Sequence, residues 1–242
     1  DWDNVGLVCG KFDTEVHRIL VALDPMMDVF EEAKALSCEL VVTHHPLIFQ
    51  SLKQVNDESF DGRNLLYLIE NGIASLNLHT NLDCCPGGVN DVLASQLGLS
   101  GVEILNPVGT DEKGRPYGLV RMGEVAEQTL AAFAAFVKRA LSCPGVRFSD
   151  AGKPVRKVAV GGGSCGSEIG DVIAAGCDTF VTADLKYNHF EEAKYRGLNL
   201  IDAGHFETEN PVCDVLEGLL REAFPEIPVF RARAHRDETQ FL

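Results

Sequence analysis

Residues 41–46 read VVTHHP, an apolar, β-branched run that ends in two adjacent histidines, His44 and His45. The composition of the run predicts a strand over Glu39–Thr43. Side chains at the carboxyl end of such a strand face the crevice where open α/β sheets bind ligands. Neutral imidazole is the commonest metal ligand in proteins, so the pair indicates a metal site, although His-His also occurs in ordinary turns.

Apolar runs of strand length alternate with helix-period segments around this stretch. Up to residue 98 the predicted strands are Arg18–Asp24, Glu39–Thr43 and Ile73–Leu78, and the predicted helices are Met27–Leu36, Gly62–Glu70 and Gly88–Leu97. This βαβ alternation predicts a mostly parallel sheet that is covered by helices on both faces.

A second α/β unit is predicted after Asn106–Pro116, a segment rich in turn formers that we interpret as a linker or a long loop. Its predicted strands are Gly118–Val125, Val155–Val160 and Thr179–Ala183, and its predicted helices are Glu127–Leu141, Glu168–Ala175 and Tyr187–Arg196. The strands Asn199–Ala203 and Pro228–Arg231 and the helix Pro211–Phe224, capped by Asn210, close the chain and could rejoin the first unit. The sequence therefore predicts two interlinked α/β domains with mixed, mostly parallel sheets, formed by residues 1–105 plus 205–242 and by residues 106–204.

The composition of the 242 residues disfavours several classes of function and location. Acidic residues outnumber basic ones by 36 to 21, which gives a net charge of -15 and disfavours binding to a nucleic-acid backbone. Eight cysteines without a CxxC pair predict free thiols in a reducing cytoplasm. No apolar stretch approaches the roughly 20 residues of a membrane span. The chain begins at Asp1 rather than methionine, so we expect a missing upstream segment.

Titratable side chains follow four of the predicted strands and enter the loops at their ends. They are His44 and His45, then His79 and Asp83, then Asp184 with His189 five residues later, and finally His205 and Glu209. Five of the seven histidines lie in or just after these loops. Such a concentration is more typical of a functional site than of scattered core positions.

Five of these side chains suffice for a dinuclear centre if the strand ends converge. The ligands would be His44, His45, Asp83, His205 and Glu209, one more than a closed structural zinc site uses. Because carboxylates can bridge, two divalent metal ions per chain are the economical arrangement. Nitrogen and oxygen donors suit Zn, Mn, Fe, Co or Ni and argue against Cu(I) or an iron-sulfur cluster. Glu209 alone is explained equally well as an acidic residue at a helix start.

Several motifs in order carry a family resemblance. They are Trp2–Leu7 (WDNVGL), VVTHHPL from residue 41, His79–Asp83 (HTNLD), Gly87–Asp91 (GGVND), and Asp202–His205 (DAGH) with Glu209. Together they resemble the NIF3-like proteins, some of which carry the name type 2 GTP cyclohydrolase I. The resemblance implies that the five candidate ligands hold two divalent cations in the cleft between the two domains, in a toroidal homohexamer. It also implies the short family form, because nothing between Asn106 and Lys157 is long enough for an inserted domain.

Two departures from the family pattern lie near the predicted ligands. Cys84 and Cys85 follow the motif aspartate where relatives have small residues, and Thr182-Ala183-Asp184 replaces Thr-Gly-Asp. Neither replaces a predicted ligand, but thiolates near a metal would recruit a different ion. The segment that family members carry before the Trp-Asp-Asn motif is expected to be missing here.

The resemblance implies a metal-dependent hydrolase. Two metals can activate a water molecule, which in a GTP cyclohydrolase would attack C8 of the guanine ring. His79 or His189 would transfer protons, and Asp184 would orient His189 or a substrate ribose. His79 is explained equally well as a residue that orients Asp83.

Other functions stay open. The glycine run at Gly161–Gly163 could bind a triphosphate, but it lacks the Lys-Ser/Thr end of a P-loop, and a tight turn is the favoured interpretation. Lys186 and Arg196 are the only basic residues near it on this stretch, which counts against a nucleotide as the substrate. Another small molecule stays possible as the substrate. The alternative to an enzyme is a non-catalytic metal-binding or regulatory protein of unknown partner. A ring that slides on DNA is disfavoured by the net charge.

Overall fold

The computed structural model describes residues 3–242, and Trp2 of the opening motif lies outside them. The strands are β1 (Gly6–Cys9), β2 (Ile19–Ala22), β3 (Leu40–Thr43), β4 (Ala74–Asn77), β5 (Ser100–Ile104), β6 (Gly109–Thr110), β7 (Pro116–Tyr117), β8 (Arg121–Gln128), β9 (Arg147–Ser149), β10 (Val155–Val160), β11 (Thr179–Thr182), β12 (Asn199–Asp202) and β13 (Val229–Arg231). The α-helices are α1 (Met27–Ala35), α2 (Phe60–Asn71), α3 (Thr80–Cys84), α4 (Val89–Gln96), α5 (Leu130–Ala140), α6 (Ile169–Ala174), α7 (Tyr187–Tyr195), α8 (His205–Glu209) and α9 (Val212–Ala223). The predicted α/β class is confirmed.

The chain divides into two compact units, and each of them is discontinuous in sequence. Unit 1 contains the residues up to Leu82 together with Val212–Arg236, and unit 2 contains Asp83–Pro211 together with Asp237–Leu242. The first division falls between Leu82 and Asp83, earlier in the chain than the predicted boundary after residue 105. The predicted return of the C-terminal part to the first unit occurs through β13, which pairs in parallel with β2.

Unit 1 has one five-stranded sheet in the order β1-β4-β3-β2-β13. All of its pairings are parallel except that of β1 with β4. The four residues of β2 are all buried, as expected for an apolar strand covered on both faces. Phe30 of α1 and Leu68 of α2 lie in the same core cluster. The α2 helix begins at the Ser59 cap, which accepts from Gly62 N, and ends at Gly72 with φ of 65°.

Unit 2 contains a six-stranded sheet in the order β5-β8-β10-β11-β12-β9. Only the central strands β10, β11 and β12 are parallel neighbours, whereas β5, β8 and β9 pair antiparallel. The prediction of mixed sheets is confirmed, and the mostly parallel character belongs to unit 1. The parallel strands carry the apolar runs that sequence analysis detects, whereas β5 is largely exposed and gives no such signal.

The predicted strand Gly118–Val125 is displaced along the chain. The observed β8 extends to Gln128, which pairs with Val155 of β10, so its last residues occupy the predicted start of the next helix. The helix α5 begins only after Thr129, whose side chain accepts a hydrogen bond from Ala132 N. Helix periodicity alone does not reveal this cap, and the predicted helix start at Glu127 is wrong.

Of the two interpretations of residues 106–116, the linker between domains is wrong, whereas the long loop agrees with the structure. This segment contains the short hairpin of β6 and β7 and lies wholly inside unit 2. Asp111 closes the turn, because its Oδ1 accepts hydrogen bonds from the backbone N–H groups of Lys113 and Arg115. The turn formers therefore mark a local hairpin rather than a connection between domains.

Glu209 and Asn210 differ from their predicted positions near a helix start. Glu209 is the last residue of α8, a short helix that was not predicted, and Asn210 ends the same helix. Asn210 has φ of -53° and ψ of -31°, which is helical backbone rather than the extended backbone of an N-cap. The predicted cap of the last helix is therefore wrong.

Helix length bears on the predicted absence of a membrane span. The helices α2 and α9 contain 12 residues each, whereas a bilayer needs about 20. Within residues 3–242, no helix combines the length and apolar composition required to cross a membrane.

Candidate metal centre

The adjacent histidines of unit 1 lie directly after β3. The backbone N–H groups of His44 and His45 continue the strand pairing, since they donate to the carbonyl oxygens of Ala22 and Leu23. Leu78, which follows the neighbouring strand β4, donates its N–H to Thr43 O. The hydrogen-bonded backbone therefore fixes the two histidines at the carboxyl edge of a parallel sheet, as predicted.

The His44 ring is held through its Nδ1 atom. This nitrogen lies 2.8 Å from the carbonyl oxygen of Leu78, and the side chain is completely buried. A carbonyl oxygen can only accept, so Nδ1 carries the hydrogen. In the neutral ring the lone pair then lies on Nε2, which is the form that ligates a metal.

The His45 ring is held in the same way by a carboxylate. Its Nδ1 lies 2.5 Å from Asp24 Oδ1, and the other oxygen of Asp24 lies 2.6 Å from His235 Nε2. Burial raises the pKa of Asp24, but hydrogen bonds from His235 and His45 outweigh it and hold the pKa well below its usual range. Asp24 is therefore an ionised acceptor between two imidazoles, and a carboxylate behind a histidine is a common arrangement at metal sites.

His79 completes a cluster of three imidazoles in unit 1. Its Nδ1 lies 2.6 Å from Asp3 Oδ1, and Asp3 also accepts from the backbone N–H of Thr80. The ring centroids of His44 and His45 are 4.9 Å apart, and that of His79 lies 5.7 Å and 6.0 Å from them. In all three rings Nδ1 is hydrogen-bonded to an acceptor of the protein, which fixes the orientation of the ring.

Unit 2 brings together a second group on a single helical turn. His205 and Glu209 lie four residues apart on α8, and His205 Nε2 is 3.0 Å from Glu209 Oε2. On its other side, His205 Nδ1 is 2.7 Å from Asp184 Oδ2. Burial lowers the pKa of His205, but the hydrogen bonds to Asp184 and Glu209 prevail and raise it to about 10. A divalent ion would compete with this proton for Nε2.

Asp184 has a strained backbone directly after β11. Its φ of 54° is in the left-handed region, which costs a residue other than glycine about 1–3 kcal/mol. Such strain is tolerated where the surrounding structure requires one particular orientation. Here the conformation directs the carboxylate to His205, and the role of Asp184 in orienting His189 or a substrate ribose stays a prediction.

The glycine run makes room for the helical turn. A Cβ atom on Gly163 would overlap Glu209 Oε1 and lie 3.0 Å from His205 Nε2. The backbone N–H of Gly162 donates to Asn90 Oδ1, and that of Gly163 donates to Thr208 Oγ1. These donors are used inside unit 2, which supports the interpretation of the run as a tight turn rather than a phosphate cradle.

Asp83 is the third predicted ligand in unit 2. It is a buried residue of α3, and its carbonyl oxygen accepts from Asn90 Nδ2. Burial raises the pKa of the Cys165 thiol, and the nearby carboxylates of Asp83 and Glu209 raise it further. Two predicted carboxylate ligands of unit 2 therefore lie near enough to the same thiol to raise its pKa.

The vicinal cysteines are thiols rather than thiolates. Burial raises the pKa of both thiols, and the carboxylates of Asp83 and Asp91 add to the effect at Cys84 and Cys85 respectively. Both are therefore protonated at neutral pH. The expectation that thiolates recruit a different metal stays a prediction, because a bound metal ion itself deprotonates a coordinating thiol.

His189 differs from the other predicted site histidines. Its Nδ1 accepts a hydrogen bond of 3.2 Å from the backbone N–H of Lys186, which places the ring at the start of α7. In this role Nδ1 is the acceptor, the reverse of its role in His44. The contact is that of a helix cap, and the catalytic role of His189 stays a prediction.

Sequence analysis missed the residues that orient the candidate ligands. Asp24 ends the first predicted strand, so its position at the same sheet edge as His44 was available as a signal. Asp3 lies within the opening motif, but nothing local connects it to His79, 76 residues away. His235 gives no sequence signal, because its contact with Asp24 joins opposite ends of the chain.

The donor atoms of the candidate ligands fit divalent transition metals. His44, His45 and Glu209 each offer one ligand atom that is suitable for a metal, and all candidate donors are imidazole nitrogens or carboxylate oxygens. This donor set suits Zn, Mn, Fe, Co or Ni.

Comparisons with known proteins define the family. The family model described as Duf34/NIF3 (NGG1p interacting factor 3) matches residues 1–238. The chain belongs to the DUF34/NIF3 family. A Streptomyces coelicolor protein named GTP cyclohydrolase 1 type 2 homolog is 42% identical over 88% of this chain and 76% of its own length. A Clostridium perfringens protein of the same name is 34% identical over 100% of this chain and 92% of its own length.

Solved structures support the membership of this DUF34/NIF3 protein. The crystal structure of the Staphylococcus aureus hypothetical protein SA1388 matches with a TM-score of 0.93 and 31% identity. The match covers 100% of this chain and 92% of the Staphylococcus aureus chain. The NIF3-like fold implied by the motifs is thereby confirmed.

Proposed function

We propose that the protein is a metal-dependent hydrolase with two divalent ions per chain. His44 and His45 of unit 1 would hold these ions together with Asp83, His205 and Glu209 of unit 2. The observation that carries the proposal is the common use of Nδ1. In His44, His45 and His205 this atom is bonded to a protein acceptor, which fixes the orientation of each ring, and Nε2 would be the ligating nitrogen.

The chemistry of the centre follows from its donors. When bound, a pair of divalent ions lowers the pKa of water and so activates it for hydrolysis at neutral pH. His79 stands beside the two histidines of unit 1 and is oriented by the ionised Asp3, so it is suited to hold or move a proton. Asp184 would fix the orientation of His205 rather than that of His189.

The substrate proposal comes from the relatives. Those from Streptomyces coelicolor and Clostridium perfringens bear the name GTP cyclohydrolase 1 type 2 homolog. We extend that reaction class to this chain, with hydrolysis at the guanine ring of GTP. The toroidal homohexamer implied by the motifs is part of the same proposal.

Turnover of GTP tests the reaction. Metal-loaded protein is incubated with GTP, and ring-opened or pterin products are followed by absorbance and mass. We expect products from the wild type and none from Glu209→Ala. The matched control is Glu191→Ala, which removes an exposed carboxylate from α7 and should retain full activity. Wild-type turnover no higher than that of Glu209→Ala would exclude the cyclohydrolase.

A non-catalytic metal-binding or regulatory protein is the second candidate. It is favoured by the glycine run, whose N–H groups at Gly162 and Gly163 are bonded inside unit 2 and offer no triphosphate cradle. Full metal loading without turnover of any nucleotide in a panel would support this candidate over the hydrolase.

A further inference from the structure

Unit 2 contains a cavity of about 300 Å³ beside the candidate ligand His205. Its walls include Arg147 of β9, Asp184 after β11 and Phe241 of the C-terminal segment. The volume is at the small end of the roughly 300–1,000 Å³ typical of ligand pockets. The cavity therefore suits a compact group, of the size of a phosphorylated sugar rather than a whole nucleoside triphosphate.

The guanidinium of Arg147 is fixed in position on the wall of this cavity. Its Nη2 donates to Leu185 O at 3.0 Å and to the carboxylate of Asp202, and its plane lies over the Phe190 ring at 5.4 Å. Asp202 is buried and also accepts from the backbone N–H groups of Leu185 and Gly204. A cation held by this many contacts loses little conformational entropy when it binds an anion.

Only one of the three guanidinium nitrogens of Arg147 contacts Asp202. Across residues 3–242, both hydrogen bonds from its side chain use Nη2. The guanidinium has five N–H donors, so Nε and Nη1 are available for a ligand. The side chain is 61% exposed even though its partner Asp202 is buried. A purely structural arginine would be expected to turn more of its donors towards the protein.

The charges in the cavity are arranged around this cation. The Asp184 carboxylate accepts from His205, and the Asp202 carboxylate accepts from Arg147 and two backbone N–H groups. Two of the four carboxylates that line the cavity are therefore already compensated. The other two, Glu207 and Asp237, lie close to each other, and burial together with the Asp237 carboxylate raises the pKa of Glu207. An oxyanion at Nη1 would form charge-assisted hydrogen bonds with the N–H donors of this nitrogen.

We propose that Arg147 anchors a phosphate group of the substrate. This inference rests on the proposed hydrolase, because it places the phosphate at Arg147 and the remainder of the substrate towards His205. It also provides a basic residue that the sequence near the glycine run lacks, since neither Lys186 nor Arg196 lines this cavity. Arg147 would thus be a substrate-binding residue that selects phosphorylated over unphosphorylated compounds.

Equilibrium dialysis of metal-free protein tests the anchor independently of metal and turnover. The probes are radiolabelled inorganic phosphate, ribose 5-phosphate, GMP and guanosine. We expect the phosphorylated probes to bind the wild type and guanosine to bind at least tenfold more weakly. Arg147→Met should lower phosphate affinity about 10- to 100-fold, the magnitude of lost charge-assisted hydrogen bonds.

Two further variants make the test specific. Arg156→Met removes an exposed arginine from β10 and should leave affinity unchanged. Arg147→Lys keeps the charge but not the planar group that Leu185, Asp202 and Phe190 hold in place, so its affinity should lie between those of the wild type and Arg147→Met. The anchor is overturned if the wild type does not bind phosphate, or if Arg147→Met and Arg156→Met bind it equally. Binding of ribose 5-phosphate as tight as that of GMP identifies the sugar phosphate as the recognised part. Failure of GTP turnover with intact phosphate binding would reject only the reaction.

Discussion

The two groups of candidate ligands are built differently. In unit 1, the imidazoles of His44, His45 and His79 follow neighbouring parallel strands and are oriented by acceptors from distant parts of the chain. In unit 2, His205 and Glu209 share one turn of α8, and the glycine run gives that turn the space it needs. Both groups use hydrogen bonds through Nδ1, but only the second also depends on backbone clearance.

The largest effect is expected from Gly163→Ala in unit 2. The added Cβ would overlap Glu209 Oε1 on a backbone with φ of 61°, so the carboxylate must move away from His205. We expect loss of most bound metal, together with about 1–2 kcal/mol of stability from the left-handed backbone alone. Elemental analysis and thermal unfolding measure the two effects.

The control for this variant is Gly176→Ala. Gly176 has φ of 75° and nothing within 4 Å of an added Cβ, so the same substitution imposes backbone strain without a clash. It should lose similar stability but retain its metal. Equal metal content in both alanine variants would show that clearance at Gly163 is not required.

A smaller loss of metal is expected from Asp24→Asn in unit 1. The substitution removes the ionised acceptor between His45 and His235 but leaves the ligand itself in place. Changes behind a metal-ligating histidine typically cost 10- to 100-fold in affinity. Competition with a chelator measures this change.

Asp28→Asn is the matched control for Asp24→Asn. Asp28 faces the other ring nitrogen of His235, with its Oδ2 at 3.8 Å from Nδ1 and a side chain that is 41% exposed. Its metal affinity should stay within about threefold of the wild type, since weak surface pairs contribute little. If both asparagine variants lose affinity alike, the orienting role of Asp24 is wrong.

The smallest effect is expected from His189→Ala. The variant loses the hydrogen bond from Lys186 N at the start of α7, which should cost about 0.5–1.5 kcal/mol of stability. Metal content should not change, because the ring belongs to neither ligand group. His189→Asn offers a replacement acceptor and should recover part of the stability. A fall in metal content or in turnover at full stability would instead support the predicted catalytic role.

The comparison also shows what sequence can predict. Parallel strands are apolar and regular, so β2, β3, β10, β11 and β12 and the strand-end histidine pair follow from local patterns. The exposed strand β5 gives no periodic signal, and the end of β8 is set by its pairing with Val155. Local patterns do not encode such pairing.

The candidate site shows the same limit. The ligand types were predictable from their spacing after strands and from the family motifs. The orienting partners Asp3 and His235 were not, because their contacts span 76 and 211 residues of chain, whereas Asp24 was detectable only as a polar residue at the end of a predicted strand. The four-residue spacing of His205 and Glu209 is typical of one face of a helix, but these residues were interpreted as part of a loop.

The most direct test of the account is the number of metal ions per chain in variants of each ligand group. Purified wild type, His44→Ala, Glu209→Ala and the double variant are compared by elemental analysis after identical loading and dialysis. The account predicts about two ions per wild-type chain, a loss in either single variant, and little further loss in the double variant, because the groups share one centre. Fewer than one ion per wild-type chain in every preparation, or losses that simply add in the double variant, would contradict it.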